Sequence, residues 1–71
     1  MILKSALKII NETKYTVIDN EEHDFETIKV DYLAPVEEFS KSRRAVKKKQ
    51  GRKVKFITVN TATHILEITL Q

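Results

Sequence analysis

A run of fifteen residues, 41–55, contains nine basic side chains and no acidic one. Lysine and arginine at this density are typical of segments that bind nucleic acids, because each phosphate that they neutralise releases condensed counterions. We therefore predict that this basic segment contacts the phosphate backbone of DNA or RNA. The predicted contact residues are Lys41, Arg43, Arg44, Lys47, Lys48, Lys49, Arg52, Lys53 and Lys55, with Tyr15 as an additional base-stacking ring.

The whole chain holds ten lysines but three arginines. Lysine acts as a point charge, whereas arginine reads guanine edges through paired hydrogen bonds, so this mixture predicts low sequence specificity.

A second interpretation of the basic segment comes from the charge distribution along the chain. Residues 1–40 carry four basic and nine acidic side chains, a sum of −5, while residues 41–71 carry nine basic and one acidic, a sum of +8. The basic segment could therefore be a solvated helix end that balances the acidic half.

Three aromatic rings on predicted strands are candidates for base stacking. Tyr32 and Phe56 share their predicted strand faces with apolar neighbours, so we expect both rings to pack in the core. Tyr15 is the ring that we expect to be exposed.

The other residue types give little support to catalysis or to metal binding. The chain has no cysteine and no glycine-rich phosphate loop, and neither histidine has a nucleophile at a recognisable spacing. Residues 21–24, Glu-Glu-His-Asp, are suitable metal ligands, but consecutive positions on a turn rarely converge on one ion. We predict neither an enzyme nor a cofactor, a metal site or a small-molecule substrate.

The length of 71 residues predicts one small domain, 1–71, in which the basic helix end and loop occupy 41–53.

The first half of the chain predicts strands. Residues 2–10 fit both a helix and a strand, and we favour a strand because the next segment has residue types that are typical of strands. The segment Lys14–Asp19 is rich in β-branched and aromatic residues, and residues 25–33 alternate between apolar and polar. A polar turn joins these two segments, which predicts a hairpin.

A helix is predicted over about residues 35–50. Pro35 can begin it, Glu37 and Glu38 suit its amino-terminal end, and Gly51 suits its carboxyl-terminal cap. Val36 and Phe39 place an apolar stripe on the first half, which we expect to dock. The second half carries like charges four residues apart, so we expect it to fray and to become ordered on binding an anion.

Residues 53–60 and 64–70 predict two further strands joined by a tight turn. Val54, Phe56 and Thr58 are expected on one face, and Leu66, Ile68 and Leu70 likewise share a face. Apolar residues on the opposite face, Ile57, Val59 and Ile65, imply that both faces are covered or that one face meets a second subunit.

The predicted fold is α+β and mainly β, with the order β-β-β-α-β-β. It is a small antiparallel sheet or a five-stranded barrel, and the order is similar to that of oligonucleotide/oligosaccharide-binding barrels. A single glycine argues against the barrel, because small barrels usually need glycine at their bends.

The leading functional hypothesis is a small, non-catalytic, cytoplasmic protein that binds nucleic acid through the basic segment. The alternative is a protein-interaction module, such as an inhibitor, accessory factor or assembly subunit, that uses the apolar hairpin Val54–Leu70, including as a homodimer. No apolar run approaches the ~18 residues of a membrane span, and we expect no membrane partner. The first ten residues also lack the uncharged core of a signal peptide.

Overall fold

The computed structural model describes residues 1–21 and 24–71, and the side chains of 1–20 and 25–71. Two helices and four strands follow one another in the order α-β-β-α-β-β. They are α1 (Leu3–Ile9), β1 (Lys14–Glu21), β2 (Asp24–Asp31), α2 (Val36–Lys47), β3 (Val54–Asn60) and β4 (Ile65–Leu70).

The four strands form one mixed sheet in the order β2-β1-β4-β3. Both hairpins are antiparallel, and they meet through β1 and β4, which run parallel with Val17 opposite Ile68. Because β2 and β3 stand at opposite edges, the sheet stays open. The predicted five-stranded barrel is therefore wrong, and so is a purely antiparallel sheet, since the crossover through α2 makes the central pair parallel.

Both helices cover the same face of the sheet, which we call the covered face; the other is the open face. Alternate residues of the strands point to the covered face, as strand geometry requires. Their apolar side chains pack with Leu3 of α1 and Val46 of α2, and the partly buried Leu7 and Ala45 pack against the same cluster. The buried cluster consists of Leu3, Tyr15, Val17, Ile28, Val30, Val46, Ile68 and Leu70.

The prediction of a strand over residues 2–10 is wrong, because this segment forms α1. Leu3 and Ala6 are both fully buried, and a spacing of three residues brings two side chains to one face only in a helix. The amino-terminal end of α1 is fixed by a distant segment, since the Leu3 N–H donates to the Arg52 carbonyl at 2.8 Å and the Lys4 N–H to the Gln50 carbonyl at 3.0 Å.

The predicted helix over about 35–50 is confirmed as α2, which begins after Pro35 and ends at Lys47. The predicted cap at Gly51 is wrong, because Lys48 is the cap residue and Gly51 does not have a positive φ. The end that docks is the opposite of the predicted one. Val36 in the first turn is 64% exposed, whereas Val46 in the last turn is 3% exposed. The reason lies beyond the helix, because Lys49 and Arg52 form ion pairs with Asp19 and hold this end against the sheet.

The predicted carboxyl-terminal hairpin is confirmed as β3 and β4, but the expected faces of β3 are wrong at Val54. A register shift between Val54 and Phe56 puts Val54 opposite Leu70 on the covered face and Phe56 opposite Thr69 on the open face. A β-bulge of this kind moves the residues on its two sides to opposite faces. It also brings Ile57 to the same face as Ile68, its cross-strand neighbour.

Candidate nucleic-acid interface

One side of α2 is lined with cations. Its four basic side chains are exposed, and so is Lys48, the residue at its carboxyl-terminal cap. At about 100° per residue they fall within an arc of about 160° around the helix axis. We call this arc the cationic face. Its members are Lys41, Arg43, Arg44, Lys47 and Lys48.

The members of the cationic face form no ion pair with the described side chains. The ion pairs formed among residues 1–20 and 25–71 involve Lys14, Lys49 and Arg52, and none involves a member of the cationic face. Glu37, in the first turn, is an exposed acid on the same arc. The face as a whole therefore presents an excess of positive charge to solvent.

A cleft with a volume of about 550 Å³ lies beside the cationic face, between the two helices. We call it the interhelical cleft. Tyr15 and Tyr32 line it together with Leu7 of α1, and α2 contributes a wall that includes three members of the cationic face. Its other lining residues are Ser40, Arg43, Arg44, Val46, Lys47 and Gln50, so that none of the lining side chains, all of which are described, is acidic.

The two tyrosines belong to a small aromatic cluster. The ring centroids of Tyr15 and Tyr32 are 6.3 Å apart, and those of Tyr32 and Phe39 are 5.6 Å apart. The guanidinium carbon of Arg43 lies 6.0 Å from the Tyr32 centroid, within cation–π range. Arg43 is thus held against the cluster, while Arg44 and Lys47 stand at the same wall without a ring partner in the described residues.

All three sequence-based expectations for the aromatic rings are wrong. Tyr15 is 5% exposed, because strand alternation puts it on the covered face with Val17. Tyr32 is 41% exposed, since β2 ends at Asp31 and Tyr32 follows in a turn. Phe56 is 48% exposed, because the bulge turns it to the open face.

Tyr15 keeps its proton far beyond physiological pH. Burial raises the pKa of its phenol well above the usual value, and a hydrogen bond with Tyr32 raises it further, while the Arg43 charge acts in the opposite direction. The side chain is therefore a neutral phenol in the lining of the cleft and not an anion.

Two of the predicted contact residues, Lys49 and Arg52, have internal partners. The Lys49 ammonium donates to the fully buried Asp19 carboxylate at 2.6 Å and lies 3.2 Å from the Glu26 carboxylate. Arg52 donates to both carboxylate oxygens of Asp19, at 2.9 and 3.1 Å. The hydrogen bond to Asp19 is the main cause of the raised pKa of Lys49. We therefore build the candidate interface from the remaining cations.

Lys53 and Lys55 are exposed but lie elsewhere. They stand at the start of β3, which is one edge strand of the sheet. The helix α2 packs against β2, the strand at the opposite edge. The Lys55 ammonium lies 5.9 Å from the centroid of Phe56. The structure therefore does not bring these two lysines into the cationic face.

Three charged residues were missed on α1 and β1, the elements that contribute Leu7 and Tyr15 to the cleft. Lys4 and Lys8 are exposed on the flank of α1 next to Leu7, which lines the cleft; the strand prediction for residues 2–10 hid this spacing. Asp19 was missed as the partner of Lys49. The alternation from Tyr15 through Val17 to Asp19 was the available signal, because it points the carboxylate to the covered face.

Comparison with protein-family models, with curated proteins and with solved structures finds no match to this chain. Within the described residues, no group of histidine, aspartate and glutamate side chains could hold a metal ion. The side chains of residues 21–24, which we considered as ligands, lie outside the described ones. No helix in the described parts of the chain is long and apolar enough to cross a membrane.

Proposed function

We propose that this chain is a small, non-catalytic nucleic-acid-binding protein whose cationic face binds the phosphate backbone. The observation that carries the proposal is the set of five exposed cations on one side of α2 and its carboxyl-terminal cap, without an ion-pair partner among the described side chains. Phosphates would neutralise these like charges and release counterions, which is the main driving force of backbone binding.

The length of the cationic face supports contact with several phosphates. Lys41 and Lys48 are seven residues apart, which corresponds to about 10 Å along a helix that rises 1.5 Å per residue. One strand of a duplex places a phosphate about every 3.4 Å along its axis. The face therefore spans about three phosphates of one strand, and its five side chains can reach between three and five.

The composition of the face supports low sequence specificity. Three of the five cations are lysines, which contact phosphates as point charges. Arg43 is held over the Tyr32 ring, and Arg44 donates one hydrogen bond from its Nε to the Ser40 carbonyl at 3.4 Å, which leaves its terminal nitrogens to contact a phosphate or a base edge.

The test compares two double variants that lose the same charge. Lys47→Gln with Lys48→Gln removes two members of the cationic face, whereas Lys14→Gln with Lys29→Gln removes two lysines from the open face. Binding of a labelled 12-nucleotide single strand and of a 12-base-pair duplex is measured by fluorescence anisotropy at low salt. We expect the first variant to lose at least tenfold in affinity and the second to lose less than threefold. Lys49 is kept, because its loss would disturb Asp19.

Two results would contradict the proposal. One is a wild-type protein that binds neither probe at low salt. The other is an equal loss in both variants, which would mean that the overall charge attracts the probe without a defined interface.

A second candidate function is self-association through β3. The outer edge of this strand faces no further strand within the described residues, apart from the single bridge between Ile2 and Lys53. Phe56, Ile57 and Val59 are exposed along it. An exposed apolar edge of this kind pairs readily with another chain.

Sedimentation equilibrium between micromolar and millimolar protein tests this candidate. We expect a dimer whose population rises with concentration, and we expect Val59→Lys, a charge on the edge strand, to remove it. A wild-type protein that stays monomeric over this range would overturn the candidate.

A further inference from the structure

We infer that the interhelical cleft binds one unstacked nucleotide of a bound strand, so that the protein prefers single-stranded to duplex nucleic acid. The inference rests on the proposed function and names the ligand of the cleft beside the cationic face. In this arrangement the base lies against Tyr32 and Arg43, and the phosphate lies at Arg44 and Lys47.

The lining of the cleft is complementary to a ligand that has a negatively charged group and a flat aromatic group. Arg43, Arg44 and Lys47 line it without an acidic neighbour, so the complementary ligand carries negative charge. Leu7 and the two tyrosines provide apolar and aromatic surface in the same space. A phosphate attached to a flat heterocyclic ring satisfies both requirements, whereas inorganic phosphate leaves the aromatic surface unused.

The size of the cleft and its flat groups fit a base. Its volume of about 550 Å³ lies within the range of small-ligand pockets, about 300–1,000 Å³. Tyr32 is nearly half exposed, and the guanidinium of Arg43, which lies over the Tyr32 ring, offers a second flat surface that is also cationic. Unstacked bases commonly stack on tyrosine rings and on arginine planes.

Polar groups in the cleft can meet the edge of a base. Ser40 and Gln50 are partly buried in its lining, and the phenol of Tyr15 is neutral there. An amide, a hydroxyl and a phenol donate and accept hydrogen bonds. A base in this position would exchange its hydrogen bonds with water for hydrogen bonds with protein.

The preference for a single strand follows from the cost of freeing the base. In a duplex the base is paired and stacked on both sides, and it must be flipped out before it can enter the cleft. A single strand frees a base at a much smaller cost. The same cleft therefore adds affinity for a single strand and adds little for a duplex.

The first experiment uses the two tyrosines as reporters. They are the only tyrosines, the chain has no tryptophan, and both line the cleft. The wild-type protein is titrated separately with uridine monophosphate and with inorganic phosphate while the tyrosine ring resonances are followed by NMR. We expect an upfield ring-current shift of the Tyr32 resonances with the nucleotide and none with phosphate. Equal small shifts with both would overturn the inference.

The second experiment compares strands and variants. Affinities for a 12-nucleotide single strand and for the matching duplex are measured at the same salt concentration for wild type, Tyr32→Leu and Phe56→Leu. We expect at least tenfold tighter binding of the single strand by wild type. We expect Tyr32→Leu to lose at least fivefold for the single strand and to keep its duplex affinity. Phe56→Leu, the same kind of change at an exposed ring outside the cleft, should match wild type.

The outcomes separate the inference from the proposed function. Equal binding of strand and duplex, unchanged by Tyr32→Leu, would overturn the inference and leave backbone binding standing. Tyrosine shifts with the nucleotide but no binding of either oligonucleotide would support the cleft and overturn the proposed function. If Tyr32→Leu fails to fold, as judged by circular dichroism, the wild-type NMR titration decides.

Discussion

Asp19 is the side chain that fixes the position of the basic segment. It is fully buried on the covered face, and it receives hydrogen bonds from Lys49 and Arg52, which lie beyond the end of α2. A buried carboxylate requires such partners, because its desolvation is costly. The basic segment therefore contains three groups of cations: those that bind Asp19, those that form the cationic face, and Lys53 and Lys55 at the start of β3.

We predict that Asp19→Asn lowers the free energy of unfolding by about 2 kcal/mol or more, because the negative charge that two cations bind is lost and one acceptor oxygen is replaced by a donor. Urea denaturation followed by circular dichroism measures the change. Asp31→Asn is the matched control, since the Asp31 carboxylate forms a surface ion pair with Lys14 at 3.9 Å. Such pairs contribute about 1 kcal/mol or less. Equal losses in the two variants would contradict this role of Asp19.

Stability should also fall at alkaline pH because of Tyr15 and Lys49. Both groups have a pKa in the folded protein that is raised above the ordinary value, Tyr15 mainly by burial and Lys49 mainly by the hydrogen bond to Asp19. The folded state thus holds these protons more tightly than the unfolded state. Their contribution is complete below about pH 10 and is lost as pH rises further.

Urea denaturation between pH 7 and pH 12 tests this dependence. We expect the contribution of these two groups to the free energy of unfolding to stay constant up to about pH 9 and to decline above pH 10. Tyr15→Phe cannot ionise at this position and should decline less steeply, because the contribution of Lys49 alone remains. A variant that declines as steeply as wild type would show that Tyr15 does not contribute.

At the scale of elements, the docked end of α2 is its carboxyl-terminal end. Val46 joins the buried cluster, while Val36 is largely exposed. We predict that Val46→Ala lowers the free energy of unfolding by about 1–2 kcal/mol, because two buried methyl groups are lost and a small cavity remains. Thermal and urea denaturation measure it.

Val36→Ala is the matched control, with an expected change within about 0.5 kcal/mol, because the side chain is exposed and alanine has the higher helix propensity. A larger loss at Val36 than at Val46 would restore the original expectation that the first half of the helix docks.

Several elements could be predicted from local patterns alone. The alternation in β2, the β-branched content of β1, and Pro35 with the acidic first turn of α2 each act within a few residues, and these elements are present at the predicted places. The failures depend on distant partners. The apolar residues of the α1 segment fit both the helical and the strand repeat. Hydrogen bonds to the backbone carbonyls of Gln50 and Arg52 fix the helix.

Much less of the site could be predicted. The positions of Lys41, Arg44 and Lys48 on one face follow from helical periodicity, and they are exposed there. The pairing of Lys49 and Arg52 with Asp19 needs the sheet order, because about thirty residues separate the partners. The interhelical cleft needs both helices in place, and the sequence pattern favoured a strand at α1.

At the scale of the whole molecule, the fold joins the acidic and the basic half of the chain. The sums of −5 over residues 1–40 and +8 over residues 41–71 describe a separated charge distribution. Asp19 and Glu26 form ion pairs with Lys49, which neutralise a small part of the charge of each half. Most of the positive charge of the second half remains at the surface, where it can attract a polyanion.

The salt dependence of binding tests the central claim, that phosphates bind to the cationic face, most directly. Affinity for a 12-nucleotide single strand is measured by anisotropy at several salt concentrations. Contacts with three to five phosphates predict a slope of log affinity against log salt of about −2 to −3.5. Lys47→Gln with Lys48→Gln should reduce the magnitude of the slope by about 1.4, because two contacts are lost. No binding at low salt, or a slope near zero, would contradict the claim.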